Sequence, residues 1–144
     1  MTVKIKICGL TNLRDVEPCI RSSVDYVGFV FHKGSKRNLE LLEAAKIATL
    51  IPKEVLKVAL KVDPLDSELD NLFSNFPVDV LQLHGEEQPE RVSIIRTKFK
   101  VPVIKSVSLR TKQDLIKIRD FSLVADQLLI DAEMSGCTYQ NGLD

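Results

Sequence analysis

Several side chains able to move protons or hold anions stand at or just behind short apolar runs: Cys8 after Ile7, Asp63 after Val62, His84 after Leu83, Lys105 after Ile104 and Asp131 after Ile130. A thiol, once ionised, is a base or nucleophile, while Asp and His exchange protons and Lys supplies a cation. Arg37 closes the basic run Lys33 to Arg37 and offers a planar, permanently charged fork suited to a carboxylate. Gln82 and His84 lie two residues apart and so share one strand face. Together these residues describe acid–base chemistry assembled from the ends of several strands. Each also has an ordinary reading. Free cysteines are mostly small buried hydrophobes, strand-end histidines mostly packed or solvated, and charge runs mostly solvated. Asp63 before Pro64 suits a turn.

The elements that would carry these residues alternate along the whole chain. Val3, Ile5 and Ile7 alternate with Lys4, Lys6 and Cys8, predicting a strand over 3–8 with Lys4, Lys6 and Cys8 on one face. Gly9 permits a tight turn, and Thr11 or Asn12 can cap a helix over 12–21. Strands follow at 25–31, 55–62, 78–83, 101–105 and 127–131. Helices are predicted at 38–50, with Leu41, Leu42, Ala45 and Ala48 as its apolar stripe, from Asp66 or Ser67 to 73, from Pro89 to 99, and at 111–119, with Leu115 and Ile118 inward. Near-continuous apolar strands between amphipathic helices imply a parallel α/β sheet in one domain, 1–144. Length favours an open doubly wound sheet, whereas polar residues at nearly every strand end favour a closed ring of strands.

Composition excludes several classes. The chain has 144 residues, 20 Lys plus Arg against 20 Asp plus Glu, and 44% hydrophobic residues. Neutral net charge and the lack of a basic stripe interleaved with aromatics argue against nucleic acid as a partner. No stretch approaches the roughly 20 apolar residues that span a bilayer, so no membrane partner is expected. With 3 Cys widely spaced and only 2 His, neither a disulfide framework nor a metal site is expected. A reducing cytoplasm is the expected compartment, and residues 133–144 read as a polar tail.

Four motifs, in order, resemble the phosphoribosylanthranilate isomerase family of tryptophan biosynthesis: Lys6-Ile7-Cys8-Gly9-Leu10-Thr11; Asp25-Tyr26-Val27-Gly28-Phe29-Val30-Phe31 with Ser35-Lys36-Arg37; Gln82-Leu83-His84-Gly85; and Leu128-Leu129-Ile130-Asp131-Ala132. The resemblance runs to about Ala132. It implies a (β/α)8 TIM-barrel type fold with about six of eight β/α units present, and an Amadori rearrangement of a phosphorylated sugar-anthranilate substrate with no cofactor and no metal. It also implies Cys8 as general base, Asp131 as general acid, and Arg37 on the anthranilate carboxylate. Gln82 and His84 are expected to orient the substrate or tune Cys8. A free thiol with pKa of about 8.5 is mostly protonated near neutrality, so a working Cys8 needs activation by its surroundings. Asp131 must hold a proton instead, which burial among Leu129, Ile130 and Ala132 would promote.

The sequence departs from the family pattern in two places. The third strand reads Lys57-Val58-Ala59-Leu60-Lys61-Val62, a packing variation. Beyond the sixth strand, Tyr139-Gln140-Asn141-Gly142-Leu143 lacks the family's paired glycines, and the seventh and eighth strands, whose loops grip the 5′-phosphate in the family, are not in the sequence. The expectations that follow are impaired turnover, exposed edges on the first and sixth strands, and either self-association through those edges, an inactive remnant, or a fragment of a longer product.

Overall fold

Side chains alternate between the two faces of each strand, and the connecting helices cover one face of the sheet. The structure, a computed structural model, describes residues 3–131. Six strands, β1 (Lys6–Cys8), β2 (Tyr26–Val30), β3 (Leu56–Lys61), β4 (Val80–Leu83), β5 (Val103–Ser108) and β6 (Gln127–Asp131), alternate with α1 (Leu13–Arg21), α2 (Leu41–Ala48), α3 (Asp66–Asn75), α4 (Pro89–Phe99) and α5 (Leu115–Ser122). All neighbouring strands are parallel, in the order β1-β2-β3-β4-β5-β6. A doubly wound sheet reverses its strand order partway, and this one never does.

The sheet curls. In a flat sheet, four spacings of about 4.8 Å would put β2 and β6 roughly 19 Å apart, yet Gln127 Nε2 on β6 donates to the Tyr26 hydroxyl on β2 at 3.4 Å. Lys6 on β1 likewise reaches the Gln82 side chain on β4, three strands away. The architecture is therefore the TIM-barrel type, a curled row of parallel strands with helices outside. Within the described residues β1 and β6 each pair on one side only.

Two apolar layers hold this shape. Outside, Val27, Phe29, Ala59, Leu81, Leu83, Val103 and Val107 pack against the helices, where Phe76 meets Phe29 and Phe31 edge-on at 5.5 and 5.1 Å. Inside, Tyr26, Val58, Val80 and Ile104 form a separate plug. The helix faces differ in detail from the predicted ones. Helix α2 buries Ala44 and Ala48 and leaves Leu42 71% exposed. Helix α5, which follows a 3-10 turn at Lys112–Asp114, packs through Ile118 and Phe121 and leaves Leu115 exposed. Strand β1 begins at Lys6, not Val3, where its register meets Tyr26, the first residue of β2. At α3 the cap is Leu65, whose N–H is held by Glu68 at 2.8 Å, not Asp66 or Ser67. Among the described residues no helix is long and apolar enough to cross a membrane. The predicted tail at 133–144 lies outside the described residues.

Candidate active site

Strand alternation sends Lys6, Cys8, Val30, Leu60, Gln82 and Leu129 to the inner face. With His32, Ser35, Arg37, Val62 and His84 from the segments beyond the strand ends, they line a cavity of about 320 Å³. Among the described residues the lining carries two basic side chains, Lys6 and Arg37, no carboxylate, and an apolar wall of Val30, Leu60, Val62 and Leu129. A second hollow of about 350 Å³ lies on the helix side, between the segment after β2 and α3. It contains no thiol, and its Lys61–Glu68 pair is already joined at 3.3 Å. Both hollows lie toward the carboxyl ends of strands, where ligands of parallel α/β folds sit, and the inner one is the one that gathers Cys8, Arg37, Gln82 and His84.

Two glycines make room for its key groups. Gly28 lies beside Cys8 in the β1–β2 register, and a Cβ there would stand 2.7 Å from Cys8 Sγ. Gly9 has φ of +84°, and a Cβ on it would stand 2.5 Å from Arg37 Cδ. The arginine lies across this turn and donates from Nη1 to the Cys8 carbonyl at 3.3 Å. Gly9→Ala is therefore expected to lower stability by about 1–2 kcal/mol from the left-handed backbone alone, with a further loss from displacing Arg37. Urea unfolding of a double-mutant cycle with Arg37→Ala checks this, because the second part vanishes once Arg37 is truncated.

On the opposite side, Gln82 is buried and bonded at both ends of its amide. Lys6 Nζ donates to its Oε1, and its Nε2 lies 3.1 Å from His84 Nδ1 and 3.4 Å from Ser106 Oγ. Ser106 Oγ is itself 3.1 Å from His84 Nδ1. The ring of His84 is held from its Nδ1 side while the residue keeps substantial exposure. Desolvation of that inner side lowers its pKa, Lys105 and Lys6 add to the lowering, and Asp131 and Glu87 oppose it. Sequence reasoning missed Lys6 and Ser106 as members of this group. The available signal was that Lys6 shares a face with Cys8.

The remaining candidates divide. Asp131 ends β6 on the inner parity, beside Ser108 in the register, and its charge is felt at His84. It is exposed, and Leu129 and Ile130 are themselves 40% and 45% exposed, so the burial expected of these two neighbours is not present. Ala132 lies outside the described residues. Asp63 adopts a φ of +44° and links two loops, accepting from Glu86 N at 2.7 Å while its own N–H donates to Glu87 at 2.9 Å. Lys105 is not at the mouth at all. Strand β5 runs on to Ser108, so Ile104 and Ser106 face inward and Lys105 faces the helices, buried in an ion pair with Glu87 at 3.0 Å. The site therefore brings together Cys8, Arg37, Gln82 and His84, with Asp131 on its rim. Among the described residues no group of three or more His, Cys, Asp and Glu is placed to hold a metal.

The known proteins that this chain resembles agree with one another. The family model for N-(5′-phosphoribosyl)anthranilate (PRA) isomerase matches residues 5–139. N-(5′-phosphoribosyl)anthranilate isomerase of Cereibacter sphaeroides is 47% identical over 131 residues, 91% of this chain and 62% of that protein. The enzyme of the same name from Paracoccus denitrificans is 43% identical over 133 residues, 92% of this chain and 62% of its own length. The crystal structure of phosphoribosyl anthranilate isomerase from Thermotoga maritima superposes with a TM-score of 0.84 at 29% identity, covering 94% of this chain and 64% of that one. A phosphoribosyl anthranilate isomerase in complex with reduced 1-(o-carboxyphenylamino)-1-deoxyribulose 5-phosphate superposes with a TM-score of 0.82 at 30% identity, covering 91% and 66%. The chain thus spans 62% of the length of these curated relatives.

Proposed function

The chain belongs to the N-(5′-phosphoribosyl)anthranilate isomerase family, and from that membership we propose that it carries the family's chemistry. The reaction is the Amadori rearrangement of N-(5′-phosphoribosyl)anthranilate to 1-(2-carboxyphenylamino)-1-deoxyribulose 5-phosphate, a step of tryptophan biosynthesis. Asp131 protonates the furanose ring oxygen as the C1′–O bond breaks, leaving a Schiff base between C1′ and the anthranilate nitrogen. Cys8, as thiolate, removes the C2′ proton, and the enolamine tautomerises to the C2′ ketone. Arg37 takes the anthranilate carboxylate in a charge-assisted pair, and Gln82 and His84 orient the sugar. A reducing cytoplasm, which keeps a thiol at Cys8 free, is the compartment that suits this chemistry.

The observation that carries the reading is the lining of one cavity: a thiol, an arginine fork and an apolar wall of Val30, Leu60, Val62 and Leu129 stand together. The test is to mix the chain with freshly made substrate and measure formation of the aminoketose, and separately to titrate the reduced aminoketose by calorimetry. Turnover, and binding that weakens about 10- to 100-fold in Arg37→Met, are expected from the loss of one charge-assisted contact. A chain that shows neither turnover nor binding of the reduced aminoketose overturns the reading.

A further inference from the structure

We infer that Lys6 is a positioning residue: acting through Gln82, it holds His84 as the neutral imidazole protonated on Nε2, so that the histidine meets a ligand as a hydrogen-bond donor and not as a base. The isomerase reading supplies only the ligand's identity here. The sense of the bonded chain follows from its own donors and acceptors.

The chain has one end whose polarity is fixed. An ammonium has three donors and no acceptor, so the atom of Gln82 turned toward Lys6 must be its carbonyl oxygen. The amide nitrogen then faces His84 Nδ1 at 3.1 Å and Ser106 Oγ at 3.4 Å. An amide nitrogen donates and does not accept, so Nδ1 must accept and the ring proton belongs on Nε2. The Ser106 hydroxyl, 3.1 Å from Nδ1, can rotate to either sense and follows the one that Lys6 imposes. Flipping the Gln82 amide would set its NH2 against the ammonium. Gln82 is 1% exposed and Ser106 7% exposed, so no bulk water stands ready to take up a misdirected donor, and such a mismatch is costly.

The charges around the ring agree with this assignment. Lys6 on β1 and Lys105 on β5 disfavour an imidazolium, Asp131 on β6 and Glu87 in the loop after β4 favour one, and desolvation outweighs them all toward the neutral form. His84 is thereby withdrawn from the acid–base work. It can present an N–H to a sugar hydroxyl or carboxylate oxygen while proton transfer is left to Cys8 and Asp131.

Long-range proton–nitrogen NMR of the 15N-labelled chain tests this without substrate, with His32→Asn leaving His84 as the single histidine. A pyridine-type Nδ1 and a pyrrole-type Nε2 are expected near neutral pH. Gln82→Glu keeps the acceptor for Lys6 but removes the donor to Nδ1, so the proton should move to Nδ1 and the ring should become more basic. Lys6→Met should release the amide and give a mixture of tautomers. Protonated Nδ1 in the unsubstituted ring overturns the inference, whatever the variants do, and so does a tautomer that stays the same in Gln82→Glu and Lys6→Met. Failure of the turnover assay leaves these spectra unaffected, so the two readings fail separately.

Discussion

Replacing Lys105 by methionine is expected to destabilise the fold by about 3–5 kcal/mol, the range for stranding one partner of a buried ion pair. The side chains of Lys105 and Glu87 are each 2% exposed. Lys105 Nζ is shared among Glu87 Oε2 at 3.0 Å, the Gly85 carbonyl at 2.7 Å and the Ser106 carbonyl at 2.9 Å, so its three donors are all used. Its charge also lies 5.4 Å from the centre of the Phe121 ring. Glu87 in turn accepts from the N–H groups of Asp63 and Gly85, at 2.9 and 3.0 Å. Methionine fills much the same volume but leaves a buried carboxylate with no cation and two carbonyls without their donor. Changing both members, as in Lys105→Met with Glu87→Leu, is expected to recover only part of the loss, because the backbone N–H groups of Asp63 and Gly85 then lose their acceptor. Urea unfolding decides the matter, with Arg21→Met as the comparison. Arg21 and Glu17 are 78% and 54% exposed, and losing such a pair costs between zero and about 1 kcal/mol. A Lys105→Met loss no larger than that of Arg21→Met would refute the assignment.

The same lysine shows what the sequence could and could not disclose. Alternation and punctuation located every strand, and β2 to β4 fell within two residues of their predicted ends. Strand β5 was expected to stop at Lys105, which placed that residue at the mouth beside Cys8 and His84. It continues to Ser108 because β6 pairs with it over its whole length, and parity then puts Lys105 outside. A single strand carries no sign of which parity faces in, since both Ile104 and Lys105 end up buried. Cys8, Arg37, Gln82 and His84 were legible because the motifs that contain them resemble those of one family, and the fold brings all four to one cavity. Lys6 and Ser106 were not, because their meeting at Gln82 and His84 depends on curvature that brings β1 near β4 and is encoded in no local pattern. Asp131 was expected in an apolar surround that the exposure of Leu129 and Ile130 does not supply.

On the proposed chemistry, Cys8→Ser and Asp131→Asn are each expected to lower kcat by about 10²- to 10⁴-fold with little change in KM, the usual range for losing a positioned acid or base. Serine keeps the shape of cysteine but its hydroxyl ionises far less readily than a thiol, and asparagine keeps the shape of aspartic acid but has no carboxyl proton to give. Equal losses would not show which residue does which step, since groups acting on one reaction are not additive. Deuterium at C2′ separates them. In Cys8→Ser, removal of the C2′ proton becomes the slow step, so the deuterated substrate should react several-fold more slowly than the ordinary one. In Asp131→Asn, ring opening becomes slow before that proton is touched, and the isotope effect should fall toward unity. The reverse pattern would exchange the two roles. An isotope effect unchanged in both variants would mean that neither step is governed by the residue assigned to it, and would return Cys8 to the ordinary reading of a strand-end thiol packed over Gly28.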